Sequence, residues 1–154
     1  MKNSDLDYLN GFLQAMALVN VGTNHGCWYL IEPIDRKATL EESLDFYFAD
    51  FLTSLSIRYG PAERRIQGVL LPEWSASVVE AAHRWFFESA CSPKLHEAYQ
   101  AKIVTTDFVD RLGKALMGNI SAWSIEGGSN DNEWTDVLLE DQDGYYLLRF
   151  SHCD

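Results

Sequence analysis

The sequence predicts an α+β fold: a helical body of four to five helices followed by a C-terminal three-stranded antiparallel meander, within a single domain over residues 1–154. Up to about residue 118, apolar residues recur at helical spacings of three and four. From about residue 120 they give way to short β-prone runs parted by turn-forming residues. A length of 154 residues suits one hydrophobic core and leaves little room for two.

The first helix is expected over 4–20, where Leu6, Leu9, Leu13 and Met16 share a face and Ser4 can cap the N-terminus. Asn20 to Asn24 breaks it, and the aromatic run Cys27–Ile31, between Gly26 and Pro33, reads as a buried strand. The clearest helix spans about 40–58. Thr39 and Glu42 form a capping box, Leu40, Leu44, Tyr47, Phe51 and Leu55 make the stripe, and Gly60-Pro61 stops it. A helix over about 76–90 turns Val78, Val79, Ala82, Trp85 and Phe86 to one side. A short helix near 94–101 follows, then one at 107–117 with Phe108, Leu112, Ala115 and Leu116 inward, capped by Thr106 and ended by Gly118-Asn119. The three strands of the tail are Ile120–Ile125, Trp134–Leu139 and Tyr145–Phe150. They are separated by Gly127–Asn132 and Asp141–Gly144, both rich in residues that close tight turns. Alternation in the third strand predicts one dry face and one partly wet face.

With 47% apolar and 23% charged residues, the chain has the composition of a folded globular domain rather than a disordered one. Its 23 acids against 12 Lys and Arg leave −11, which excludes nonspecific nucleic-acid binding and disfavours an anionic membrane surface. No apolar run is long enough to span a bilayer, and the Met1–Asp5 terminus lacks a signal-peptide core. Three sparse cysteines without a C-x-x-C fit a reducing compartment, so a cytoplasmic location is expected.

The charge is uneven. Residues 119–154 hold eight acids and one base, Arg149, for a net of −7. Glu126, Asp131, Glu133, Asp136, Glu140, Asp141 and Asp143 fall at or near strand ends and turns of the expected meander, with Trp134 and Tyr145-Tyr146 among them. Solvated turn residues that protect sheet edges explain any one of these acids. Seven on one small sheet repel one another, which suits a platform for a cationic partner, with Trp134 as an anchor. The candidate partner-binding set is therefore Glu126, Asp131, Glu133, Trp134, Asp136, Glu140, Asp141 and Asp143.

Catalytic and cofactor motifs are absent from the sequence. There is no Gly-rich phosphate loop, no G-x-S-x-G and no H-E-x-x-H. Asp141–Gly144 fails as a calcium loop, because the flanking ligand positions fall on Leu139 and Phe150. His25 with Cys27, and His152 with Cys153, are loose candidates for a zinc site. His25 with Cys27 could also form a reactive thiol pair, and Cys91 with His96 another. A buried thiol beside a surface histidine is the plainer explanation, and no metal or cofactor is expected.

A small, strongly acidic α+β chain whose tail runs Trp134 to Phe150 through Glu140-Asp141-Gln142-Asp143-Gly144 resembles bacterial immunity proteins of contact-dependent and polymorphic toxin systems. That resemblance implies a non-enzymatic inhibitor that occupies the cleft of a cognate, basic, nuclease-type toxin, as a monomer or weak dimer, without touching nucleic acid or membrane. Alternatives are a small cytoplasmic enzyme using His25 and Cys27, and an oligomeric adaptor that buries the sheet.

Overall fold

Helix α1 (Asn3–Asn20) turns Leu9, Leu13 and Ala17 inward at spacings of four. It is followed by strand β1 (Gly26–Ile34), helix α2 (Leu40–Tyr47) and the short strand β2 (Gln67–Leu70). Helix α3 (Trp74–His83) runs on into a π-helical turn (Arg84–Glu88). Then come α4 (Ala101–Ala115) and strands β3 (Ser121–Glu126), β4 (Trp134–Glu140) and β5 (Tyr145–Cys153). The computed structural model describes residues 1–21, 26–50, 53, 66–88, 100–126 and 134–153. The short helix expected near 94–101 lies almost wholly outside these residues, as does most of the expected 40–58 helix beyond residue 50.

The α+β class holds, but the sheet is larger than the sequence suggested. The antiparallel β3-β4-β5 meander is the middle of a five-stranded sheet ordered β1-β5-β4-β3-β2. Strand β1 pairs with β5 along its whole length, from Gly26 opposite Cys153 to Ile34 opposite Tyr145, and β2 pairs with β3. Periodicity could not reveal these ladders, because the partners lie far apart in sequence.

Both faces of the sheet are covered. On one, Val137, Leu139, Tyr146, Leu148 and Phe150 pack with Tyr29 and Ile31 against α1, α3 and α4. On the other, Leu138, Tyr145 and Leu147 meet Leu44 of α2, with Ile34, Phe48, Ile66 and Ile125. Asp136, Val137, Leu138 and Leu139 are therefore all buried, the mark of a strand covered on two sides. The partly wet face expected for β5 is dry over Tyr145 and Leu147, because α2 lies across it.

Local signals explain some ends and not others. Thr39 caps α2, its hydroxyl accepting from the Glu42 amide at 3.1 Å. After α4, Gly118 adopts φ +78°, a conformation that glycine enters without steric cost. Ser4 does not cap α1, whose N-cap is Lys2, and Thr106 lies inside α4. The π turn widens the helix locally and holds three consecutive rings, Trp85, Phe86 and Phe87, in the core. The end of α1 is tied to that turn: Asn20 Nδ2 donates to the Trp85 and Phe86 carbonyls, and the Tyr29 hydroxyl donates to Trp85 O at 2.9 Å.

Strand β1 forms one edge of the sheet, and α1 blocks it. Asn10 Oδ1 accepts from the Ile31 amide and Asn10 Nδ2 donates to the Ile31 carbonyl, both at 2.8 Å. The side-chain amide thus takes the place of one residue of a neighbouring strand and blunts an edge open to intermolecular pairing. An Asn10→Ala protein is expected to lose about 1–3 kcal/mol of stability, since it strands two half-buried backbone groups. It should also aggregate more readily. Urea unfolding with light scattering reads both, and unchanged values would show that the edge does not depend on this amide.

Candidate functional site

Several acids of the tail are engaged inside the fold. Asp136 is only 2% exposed, and its carboxylate is held by Arg149 through Nε at 2.8 Å and Nη2 at 2.6 Å. Arg149 lies over the Phe48 ring at 5.5 Å. Burial works against its charge, but the hydrogen bond and charge of Asp136, with Tyr47 and Glu32 nearby, more than offset this and raise its pKa. The Tyr47 hydroxyl donates to Glu32 Oε1. Burial, reinforced by that carboxylate, pushes the phenol well above its ordinary pKa. These four side chains pin α2 to the sheet.

The other acids are similarly engaged or separated. Glu140 pairs with Arg36 at 2.5 Å, and Arg36 stacks over Tyr145. Asp143 receives the Met1 α-ammonium at 3.0 Å. Asp141, 3% exposed, accepts from the amides of Met117, Asp143 and Gly144 and lies 3.5 Å from the same ammonium. Glu126 ends β3, exposed and opposite Gln67. Trp134 opens β4, half-buried and opposite Ser151, and Asp131 and Glu133 lie outside the described residues. Asp136 thus points to the α2 side, while Asp141 is drawn into the turn beside Met117, so these two carboxylates do not share one surface.

Of the cysteine and histidine candidates, Cys27 and His152 are described, and they stand opposite each other where β1 pairs with β5. Cys27 Sγ donates to the Asn20 carbonyl at 3.5 Å, while His25, Cys91 and His96 lie outside the described residues. His152 sits 5.9 Å from the Trp85 ring. Among the described residues, no group of three His, Cys, Asp or Glu is placed to hold a metal ion, and no helix is long and apolar enough to cross a membrane.

The concave feature lies elsewhere. An open cleft of about 430 Å³ separates the first turns of α1, with Ser4, Asp5, Tyr8 and Leu9, from the last turns of α4, with Arg111, Lys114 and Ala115. The helices run antiparallel here, since Phe12, further along α1, stacks on Phe108, earlier in α4, at 5.5 Å. Arg111 is preset: its Nε donates to Asp107 at 2.8 Å, one turn back, and its guanidinium lies 5.1 Å over the Tyr8 ring. The hydrogen bond and charge of Asp107 raise its pKa further. Lys114 follows at i+3 on the same face and forms no ion pair among the described residues. None of these cleft residues was selected from the sequence as a binding residue. The Asp107–Arg111 spacing was legible there, but its meeting with Tyr8 was not.

No family model matches the chain. No curated protein matches it either. A solved structure that it resembles is that of citrus MAF1, with a TM-score of 0.49 and 14% identity, covering 96% of this chain and 98% of that one. The resemblance to bacterial immunity proteins, with its toxin partner and antitoxin role, is corrected: no family model or curated protein of that kind matches, and Asp136 and Glu140, two of the tail carboxylates meant to meet a toxin, are paired within the chain. At this identity and score the likeness to MAF1 carries no functional argument, and nothing of its activity is transferred.

The Asp141 turn yields a pH prediction. Burial alone would raise the Asp141 pKa, but three backbone donors and the ammonium hold it below its ordinary value. In Asp141→Asn, an amide NH₂ would face the Met117 N–H, and stability at pH 7 is expected to fall by about 1–3 kcal/mol. A depressed folded pKa contributes stability that is complete above the unfolded value, near about pH 4, and is lost as pH falls through the lower folded value. The gap between the two proteins should therefore narrow in acid. Urea unfolding at neutral pH and at about pH 2.5 measures it, and an equal gap at both would exclude a role for the charge.

Proposed function

We propose that this chain is a non-catalytic ligand-binding domain, and that the α1–α4 cleft receives an anionic group. The observation behind this reading is the presentation of Arg111. Its Nε is occupied by Asp107 and one face by Tyr8, which leaves the edge with the two Nη groups as its free donors toward the cleft. A guanidinium fixed in this way can meet a carboxylate or phosphate with two parallel hydrogen bonds at little further entropic cost. Lys114 adds a mobile point charge beside it. The net charge of −11 repels anions at long range, so binding here depends on the local pair and should be weak and sensitive to salt.

The non-catalytic part of the proposal rests on the same lining. Among the described residues, neither the Ser4 hydroxyl nor the Tyr8 hydroxyl is hydrogen-bonded to a base, the arrangement that activates a nucleophile. The cytoplasmic location suggested by the sparse cysteines belongs to this proposal as well.

Titrating isotopically labelled protein with sodium propionate at low ionic strength tests the reading through the amide shifts of α1 and α4. Shifts are expected at Tyr8, Arg111, Gly113 and Lys114. Arg111→Gln should weaken binding roughly two- to fivefold, in keeping with an exposed charge contact, and added salt should weaken it further. Shifts confined to other surfaces, or an affinity indifferent to Arg111→Gln, would overturn the assignment.

A further inference from the structure

The cleft has a second pole. Asp5, half-buried in the first turn of α1, lines it opposite Arg111 and Lys114, yet forms no ion pair within 4 Å with either, nor with any other cation among the described residues. Opposite charges that share a small cleft ordinarily close on one another when their side chains can reach. Here the backbones are held by packing that neither charge controls: Leu9 and Leu112 are buried, and Phe12 stacks on Phe108 between the helices. Arg111 is also pulled back toward Asp107. The result is a fixed separation of charge across an open space.

The helix dipoles account for part of this arrangement. An acid in a first turn and a base in a last turn are each favourable without any ligand. The dipoles explain why these residue types occupy these turns. They do not explain why both are left unpaired toward one cleft.

Resting on the assignment of the cleft as an anion site, we infer that its ligand is a small zwitterion, with a carboxylate on the Arg111 edge and Lys114 and an ammonium on Asp5. Two features favour this over a purely anionic ligand. Asp5 repels a phosphate or dicarboxylate drawn in by the two cations, so it acts against such competitors as well as for an ammonium. The volume of about 430 Å³ lies in the range of small-molecule pockets. The Tyr8 ring, 52% exposed, and Leu9 give the methylene stem of the ligand an apolar wall.

The test compares glycine, β-alanine, γ-aminobutyrate and ε-aminocaproate with acetate, propionate, butyrate and caproate. Amide shifts are followed in the full chain and in Asp5→Asn. At least one amino acid should bind about fivefold more tightly than its matched alkanoate, the upper end for one exposed charge pair, and Asp5→Asn should erase that preference while alkanoate binding persists and tightens as the repulsion is relieved. Equal affinity of amino acids and alkanoates for the unaltered protein would overturn the zwitterion inference and leave the anion site standing, as would a preference that survives Asp5→Asn. If neither series shifts the cleft resonances, both readings fall.

Discussion

Strand β5 has neighbours on both edges and packed side chains on both faces, and most of the architecture follows from that enclosure. Leu147 and Leu148, adjacent in sequence, point to opposite sides and are both fully buried. A strand so placed must satisfy every polar group it takes inside, because water cannot reach them. Arg149 is the one base of the tail and lies on this strand, so Asp136 directly across the ladder becomes its partner. The pair is a condition of closing α2 over the second face, not a surplus of stability. Leaving either charge alone there would cost far more than the pair contributes.

The same enclosure accounts for the remaining acids of the tail. Carboxylates at the strand ends fall within reach of segments that arrive from elsewhere in the chain: Arg36 after β1, the α-ammonium before α1, and the Met117 amide after α4. A local excess of charge is thereby turned into contacts that tie together pieces distant in sequence. The net charge of the molecule stays strongly negative, but the described tail acids, apart from Glu126, are engaged in holding the fold. The first turns of α1 and the last turns of α4 adjoin two of these contacts, at Met1 and Met117, yet Asp5 and Lys114 there form no ion pair among the described residues.

Much of the fold was legible because helix and strand formation leaves a local signature. The stripe Leu9, Leu13, the Thr39 cap, the Gly118 stop and the three tail strands all rest on residues within a few positions of one another. The outer strands were harder to place. Cys27–Ile31 was recognisable as a strand, but nothing within it says that it pairs with β5, and Gln67–Leu70 is too short and too mixed to announce itself. The cleft was less legible still. Arg111 and Asp107 read as an ordinary exposed pair on a helix, and Tyr8 and Asp5 as surface residues, until the antiparallel packing of α1 on α4 brings them to one place.

By itself, then, the sequence determined the kind of the longer helices and strands, the α+β class and the total of charge, since these depend on periodicity, local capping and composition. The tertiary structure alone decided the order of the sheet, the dryness of its second face, the partner of each carboxylate and the position of the cleft. Those depend on which distant segments meet. Meeting is settled by the closure of the whole chain around a shared core, and a residue's neighbours in sequence carry no record of it.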